Sequence, residues 1–169
     1  MKKRATVFLA IALILCATVP TQAMAGKGVD GPTFLMRYIF LVNDMKLTIS
    51  DADPIYSPSA PKTGKPGISY DKYHTQIDAD TMQVQAAWFS ISDQEVDTLM
   101  RLVAFMYALK EDVSMLDVKA ATGNSYQQEA TDTTVKAAIN ARKDSPLDWG
   151  DYYIYTIPDG PVLVEAMLK

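Results

Sequence analysis

Apolar residues recur along this chain with two different spacings, and the switches between them mark out its elements. Phe34, Tyr38, Leu41 and Met45 step by four, three and four, with Leu35, Ile39 and Val42 beside them. That is the spacing of a helix with a broad apolar arc, buried on most sides. Asp30 or Thr33 would cap it, and Pro32 suits its first turn. Taken alone, Tyr38–Val42 would also suit a buried strand, but the longer spacing favours the helix.

The spacing then drops to two. Tyr73, Thr75 and Ile77 alternate before Asp78-Ala79-Asp80, and Met82, Val84, Ala86 and Trp88 alternate with Gln83 and Gln85. Two half-buried strands joined by a turn are expected, with His74 pointing opposite to Tyr73 and Thr75. Ser92-Asp93-Gln94-Glu95 has the form of a capping box, and Asp93, Glu95 and Asp97 suit the positive end of a helix dipole.

Behind that box, Leu99, Leu102, Met106, Leu109, Val113 and Leu116 step by three and four. Val96, Met100, Val103 and Tyr107 widen the stripe beyond a two-position seam, so a helix packed on its own sheet is expected rather than a coiled coil. Asp97 and Arg101 are spaced to pair, and Gly123-Asn124 would end the helix. Ser125-x-x-Gln128 repeats the capping pattern and opens a more polar helix towards Arg142, ended by Ser145-Pro146. Its apolar set is small: Ala130, Val135, Ala137, Ala138, Ile139 and Ala141. Last, Tyr152–Ile157 and Val162–Leu168 flank Pro158-Asp159-Gly160, a turn in a closing hairpin.

Residues 51–67 break this pattern. Pro54, Pro58, Pro61 and Pro66 with Gly64 and Gly67 allow neither a helix nor a central strand, so a loop is expected. Pro58-Ser59-Ala60-Pro61 matches PxxP, a pattern that recurs by chance in proline-rich loops. Helices lying between hairpins, with no internal repeat, predict the α+β class. The expected architecture is a small antiparallel sheet packed against two or three helices in a single domain, residues 26–169.

The first 25 residues read differently. Lys2, Lys3 and Arg4 precede an apolar run from Val7 to Ala17, then Pro20 and the small-residue pattern Ala23-Met24-Ala25. This is the order of a secretory signal peptide cleaved after Ala25. The run is shorter than the about 20 residues needed to span a bilayer. Leu15 is not the small residue that lipid attachment at Cys16 would want, so no stable membrane anchor is expected after cleavage. Residues 1–25 would leave behind a periplasmic or secreted protein.

Cleavage changes the chemistry available. The chain has 16 basic and 20 acidic side chains, and residues 1–25 carry three basic and no acidic ones, leaving 13 against 20. So acidic a protein is repelled by nucleic-acid backbones and anionic lipid; it would attract basic protein patches, cationic ligands or divalent metals. Cys16 is the only cysteine and leaves with the leader, so no disulfide, thiol nucleophile or thiolate ligand is expected. The remaining 144 of 169 residues suffice to bury roughly two thirds of the unfolded surface without staples.

His74 is the only histidine. A Ser–His–Asp site would need it, with Asp71 or Asp78, but no nucleophile-elbow glycines surround any serine. Zinc would have to rely on carboxylates. Asp51, Asp53, Asp78, Asp80, Asp144, Asp148 and Asp151 form the richest reactive set, suited to calcium or glycoside hydrolysis. Turn and cap formation accounts for them equally well, and the EF-hand spacing fails at Pro54 and Met82. No phosphate loop, dinucleotide fingerprint or haem motif is present, and no cofactor or metal is expected.

Trp149, Tyr152, Tyr153 and Tyr155 are the candidate binding residues, an aromatic group that could meet a protein or a sugar, or equally pack the sheet. The leading expectation is an exported, non-enzymatic module that binds another protein, such as an inhibitor, an immunity factor or an accessory subunit of an envelope assembly. The alternatives are a carboxylate-dependent hydrolase of cell-envelope glycans and a small-ligand binder.

Overall fold

The structure is a computed structural model that describes residues 27–48, 52–59, 64–92, 95–110, 128–157 and 162–169. Over these residues the chain runs α1 (Gly31–Asp44), β1 (Ile55–Ser57), β2 (Gly67–Tyr70), β3 (Tyr73–Ile77), β4 (Val84–Ile91) and α2 (Val96–Ala108). It continues through α3 (Gln128–Asn140), β5 (Leu147–Trp149), β6 (Tyr152–Ile157) and β7 (Val162–Leu168). The strands form one seven-stranded sheet of order β1-β2-β3-β4-β7-β6-β5, antiparallel at every junction. Two meanders meet at β4 and β7, and the chain passes between them through the helices. This is a single α+β domain, as the order of elements predicts.

Helix α1 forms where the apolar spacing places it. The Asp30 carboxylate accepts from the Thr33 N–H at 2.8 Å, Pro32 occupies the first turn, and Phe34, Tyr38, Leu41 and Val42 are buried. Backbone bonds from Gly31 N–H to Met82 O and from Val84 N–H to Val29 O, both 2.9 Å, stitch its start to the entry of β4.

Helix α2 begins later than its sequence signal. Glu95, not Ser92, is the N-cap, and it makes no side-chain cap bond. The Ser92 hydroxyl instead accepts from Lys72 Nζ at 3.1 Å, because Ser92 follows directly on β4 and lies beside the β2–β3 turn. The expected Asp97–Arg101 pair also gives way. Arg101 is buried and its guanidinium donates to Asp71 at 2.6 Å and to the Thr48 carbonyl at 2.6 Å. A desolvated guanidinium gains far more from a carboxylate held across the core than from an exposed one on its own helix. Val113, Leu116, Gly123-Asn124, Ser125 and Pro158-Asp159-Gly160 lie outside the described residues.

The proline-rich break holds one short strand, β1, at the sheet edge, where the sequence reading expects a loop. Ile68 N–H and C=O both bond to Thr75 Oγ1, so they point towards β3 and away from β1. Tyr56, paired with Ile68, therefore turns its own N–H and C=O to the free edge. Pro54 and Pro58 bracket the strand with that same alternation, so their missing N–H groups fall on the solvent side, where they cost nothing and discourage further pairing.

A bulge decides which way β4 faces. Ile77 pairs with Val84 but Gln76 pairs with Ala86, which leaves Gln85 as the extra residue. Val84 thus joins Ala87, Phe89 and Ile91 in the core, while Ala86 and Trp88 turn to the opposite face. Simple alternation would have kept Val84, Ala86 and Trp88 together; an inserted residue reverses the parity behind it.

The three described helices lie on one face. The row Tyr70, Tyr73, Phe89, Val164 and Thr156, linked by strand register, carries them. The Phe34 ring meets Tyr73 edge-on at 5.0 Å from α1, and Phe105 meets Phe89 at 5.5 Å from α2. Thr156 Oγ1 donates to the Ala138 carbonyl of α3 at 2.9 Å. Each such ring pair adds about 0.5–1.5 kcal/mol beyond its buried area.

Candidate functional site: the open face of the sheet

No described helix covers the other face of the sheet, and its residues follow from the same register. One row crosses six strands as Ile55, Ser69, His74, Trp88, Glu165 and Tyr155. The next holds Gln76, Ala86, Met167, Tyr153 and Asp148. Ser90, Leu163 and Ile157 form a third. Large apolar side chains stand exposed here: Ile55 at 65 %, Tyr153 at 42 % and its cross-strand neighbour Met167 at 37 %.

The first row is chemically organised. Ser69 Oγ and His74 Nδ1 lie 2.7 Å apart. Because Ile68 and Tyr70 bond outward to β3, Ser69 and His74 form the closer, non-hydrogen-bonded kind of pair. The His74 imidazole stacks on Trp88 at 5.7 Å with 24° between planes. Ser90 N–H donates to the Lys72 carbonyl, so β4 turns its even-numbered amides to β3, and Trp88 with Glu165 is again a close pair. Burial first, and the negative charge of the neighbouring Glu165 carboxylate second, push the Tyr155 hydroxyl up to about 12.

Beside that row a cation is already bound in place. Lys169 Nζ lies 4.9 Å from the centre of the Tyr153 ring and 2.5 Å from Asp148 Oδ1. The carboxylate supplies charge and the ring a negative face, and the ammonium also donates to the Gly150 carbonyl at 2.5 Å.

The four aromatic candidates separate. Tyr153 and Tyr155 lie on the open face, exposed and buried respectively. Tyr152 is fully buried on the helix face, its hydroxyl accepting from Val29 N–H at 3.0 Å and donating to the Val84 carbonyl at 3.1 Å. Trp149 pairs with Tyr152 and turns to the same side. Its indole N–H donates to the Met106 carbonyl at 2.7 Å, its ring meets Tyr107 edge-on at 5.3 Å, and Lys110 Nζ sits 4.0 Å over it. These contacts close the C-terminal end of α2, where unpaired carbonyls need donors.

The aspartates divide in the same way. Asp78 accepts from Asp80 N–H, Thr81 N–H and the Thr81 hydroxyl, and the Thr81 bonds above all hold its carboxyl below the ordinary range. Asp151 accepts from Gly28 N–H at 2.9 Å, and Asp71 binds Arg101 and the Tyr38 hydroxyl. Both carboxylates that a triad through His74 could have used are thus committed to turn and core. Asp51 lies outside the described residues; Asp53, Asp80 and Asp144 are exposed. No group of three or more His, Cys, Asp or Glu side chains among the described residues could hold a metal ion. Among them, too, no helix is long and apolar enough to cross a membrane.

No protein-family model matches this chain, and neither a curated protein nor a solved structure does.

Ser69, Trp88 and Glu165 were not among the sequence candidates. Glu165 alternates with the core residues Val164 and Ala166, which marks an outward position. Its neighbours, however, come from β4 and β6, and only the register supplies them.

Proposed function

We propose that this protein is exported and works by binding another protein through the open face of its sheet, as an inhibitor, an immunity factor or an accessory subunit of an envelope assembly would. One observation carries the reading: Ile55, Tyr153 and Met167 stand exposed on the same face, which no described helix covers, with Trp88 half-buried between them. Apolar and aromatic side chains gathered on one flat surface gain most when a partner removes them from water. Aromatic and methionine side chains are also the types enriched at interface centres.

The test has two parts. Mass spectrometry of the protein from the periplasmic fraction should find a chain beginning at Gly26; a chain still carrying Met1 contradicts export. Capture from envelope extract should bring down one stoichiometric partner with the native protein, and lose it with Tyr153→Lys combined with Met167→Glu. Retention of that partner by the double variant would refute the open face as the binding surface.

A further inference from the structure

We infer that Glu165, set between Trp88 and Tyr155, is the receptor for a basic side chain, arginine by preference, presented by a protein partner. The inference rests on the proposed role of the open face and names the chemistry of what docks there.

Three observations support it. First, the register places a carboxylate between two aromatic residues: Trp88 faces Glu165 from β4, and Tyr155 faces it from β6. His74, paired with Trp88 in the same row, stacks on its indole. A carboxylate flanked by aromatic residues suits a guanidinium, which is planar, weakly hydrated and able to stack while it donates. Second, the same face already holds a cation in this manner, since Lys169 lies between Asp148 and the Tyr153 ring in the adjacent row. Among the described residues, no salt bridge joins a lysine or arginine to Glu165. Third, the protein without its leader has 13 basic against 20 acidic side chains, a field that draws a basic partner inwards.

Titration calorimetry of the full chain with a hexa-arginine peptide tests this, with the matching hexa-citrulline peptide as the uncharged control. Saturable binding of the arginine peptide alone is expected, weakened about tenfold by Glu165→Gln. Asp97→Asn removes one exposed charge from α2, beyond the sheet, and should leave affinity within about twofold, because surface charges at that distance are screened.

Equal weakening by Asp97→Asn and Glu165→Gln would overturn the inference, leaving only attraction to net charge. Unchanged binding in Glu165→Gln, equal binding of the citrulline peptide, or no binding of hexa-arginine would overturn it too. If the arginine peptide fails while partner capture still depends on Tyr153 and Met167, the open-face reading stands and the Glu165 receptor falls.

Discussion

Tyr73 and His74 are neighbours in one strand, yet they stand in two different physical settings. Tyr73 lies under α1 and α2, ringed by Phe34, Tyr38, Tyr70 and Phe105, and burial pushes its hydroxyl well above the ordinary range. His74 lies on the open face between Ser69 and Trp88, half-buried and reachable by solvent. The same contrast runs across the sheet: Phe89 against Trp88, Val164 against Glu165, Tyr152 against Tyr153. One face is closed by helices and carries the stability. The other keeps polar and aromatic side chains at the surface.

The contrast can be broken or sharpened by substitution. The largest effect belongs to the helix face. Phe89→Ala should lower the unfolding free energy by about 3–5 kcal/mol, since the ring is fully buried and its loss leaves a cavity. Denaturant midpoints would measure it, and a loss below about 1 kcal/mol would contradict a close-packed helix face.

Asp71→Ala should follow at about 3 kcal/mol, because Arg101 would keep a desolvated charge and Tyr38 an unmatched hydroxyl. Arg101→Met combined with Asp71→Ala should recover much of that loss, since removing both partners of a buried pair costs less than removing one. A double variant no more stable than Asp71→Ala would sink this account.

Smaller again is the pH dependence of the row on the open face. The Tyr155 hydroxyl titrates near 10.0 when unfolded and near about 12 when folded, so the neutral phenol is favoured by folding. Its contribution is fully present below pH 10 and is lost as pH rises through 12. Tyr155→Phe should flatten the stability profile over that window alone. An unchanged slope there would contradict the burial of the phenol beside Glu165.

The smallest effect on stability should come from Tyr153→Lys with Met167→Glu, within about 0.5 kcal/mol, because both side chains are already exposed. Those two substitutions are expected to abolish partner capture. Large instability in that variant would place Tyr153 and Met167 in the structural half of the comparison.

How legible all this is from the chain differs by element. Helix α1 is readable because its cap, its proline and its apolar arc are all local features. The hairpins are readable for the same reason. The capping box at Ser92 misleads because a lysine from a distant turn competes for the hydroxyl. Arg101 looks like the partner of Asp97 because an i,i+4 neighbour is visible in sequence and Asp71, 30 residues away, is not. Among the aromatic candidates, alternation separates Tyr152 from Tyr153, but nothing local says which of the two faces the helices will cover.

By itself, then, the sequence determined the α+β class, the order of helices and hairpins, the acidic balance and the scarcity of reactive side chains. Each of these depends on composition or on residues within a turn or two of one another. Tertiary structure decided the bulge at Gln85, the pairing of Arg101 with Asp71, and the row that brings Ser69, His74, Trp88, Glu165 and Tyr155 together. The physical reason is register: residues far apart in the chain become neighbours only once strands pair, and a single inserted residue reverses which of them face water.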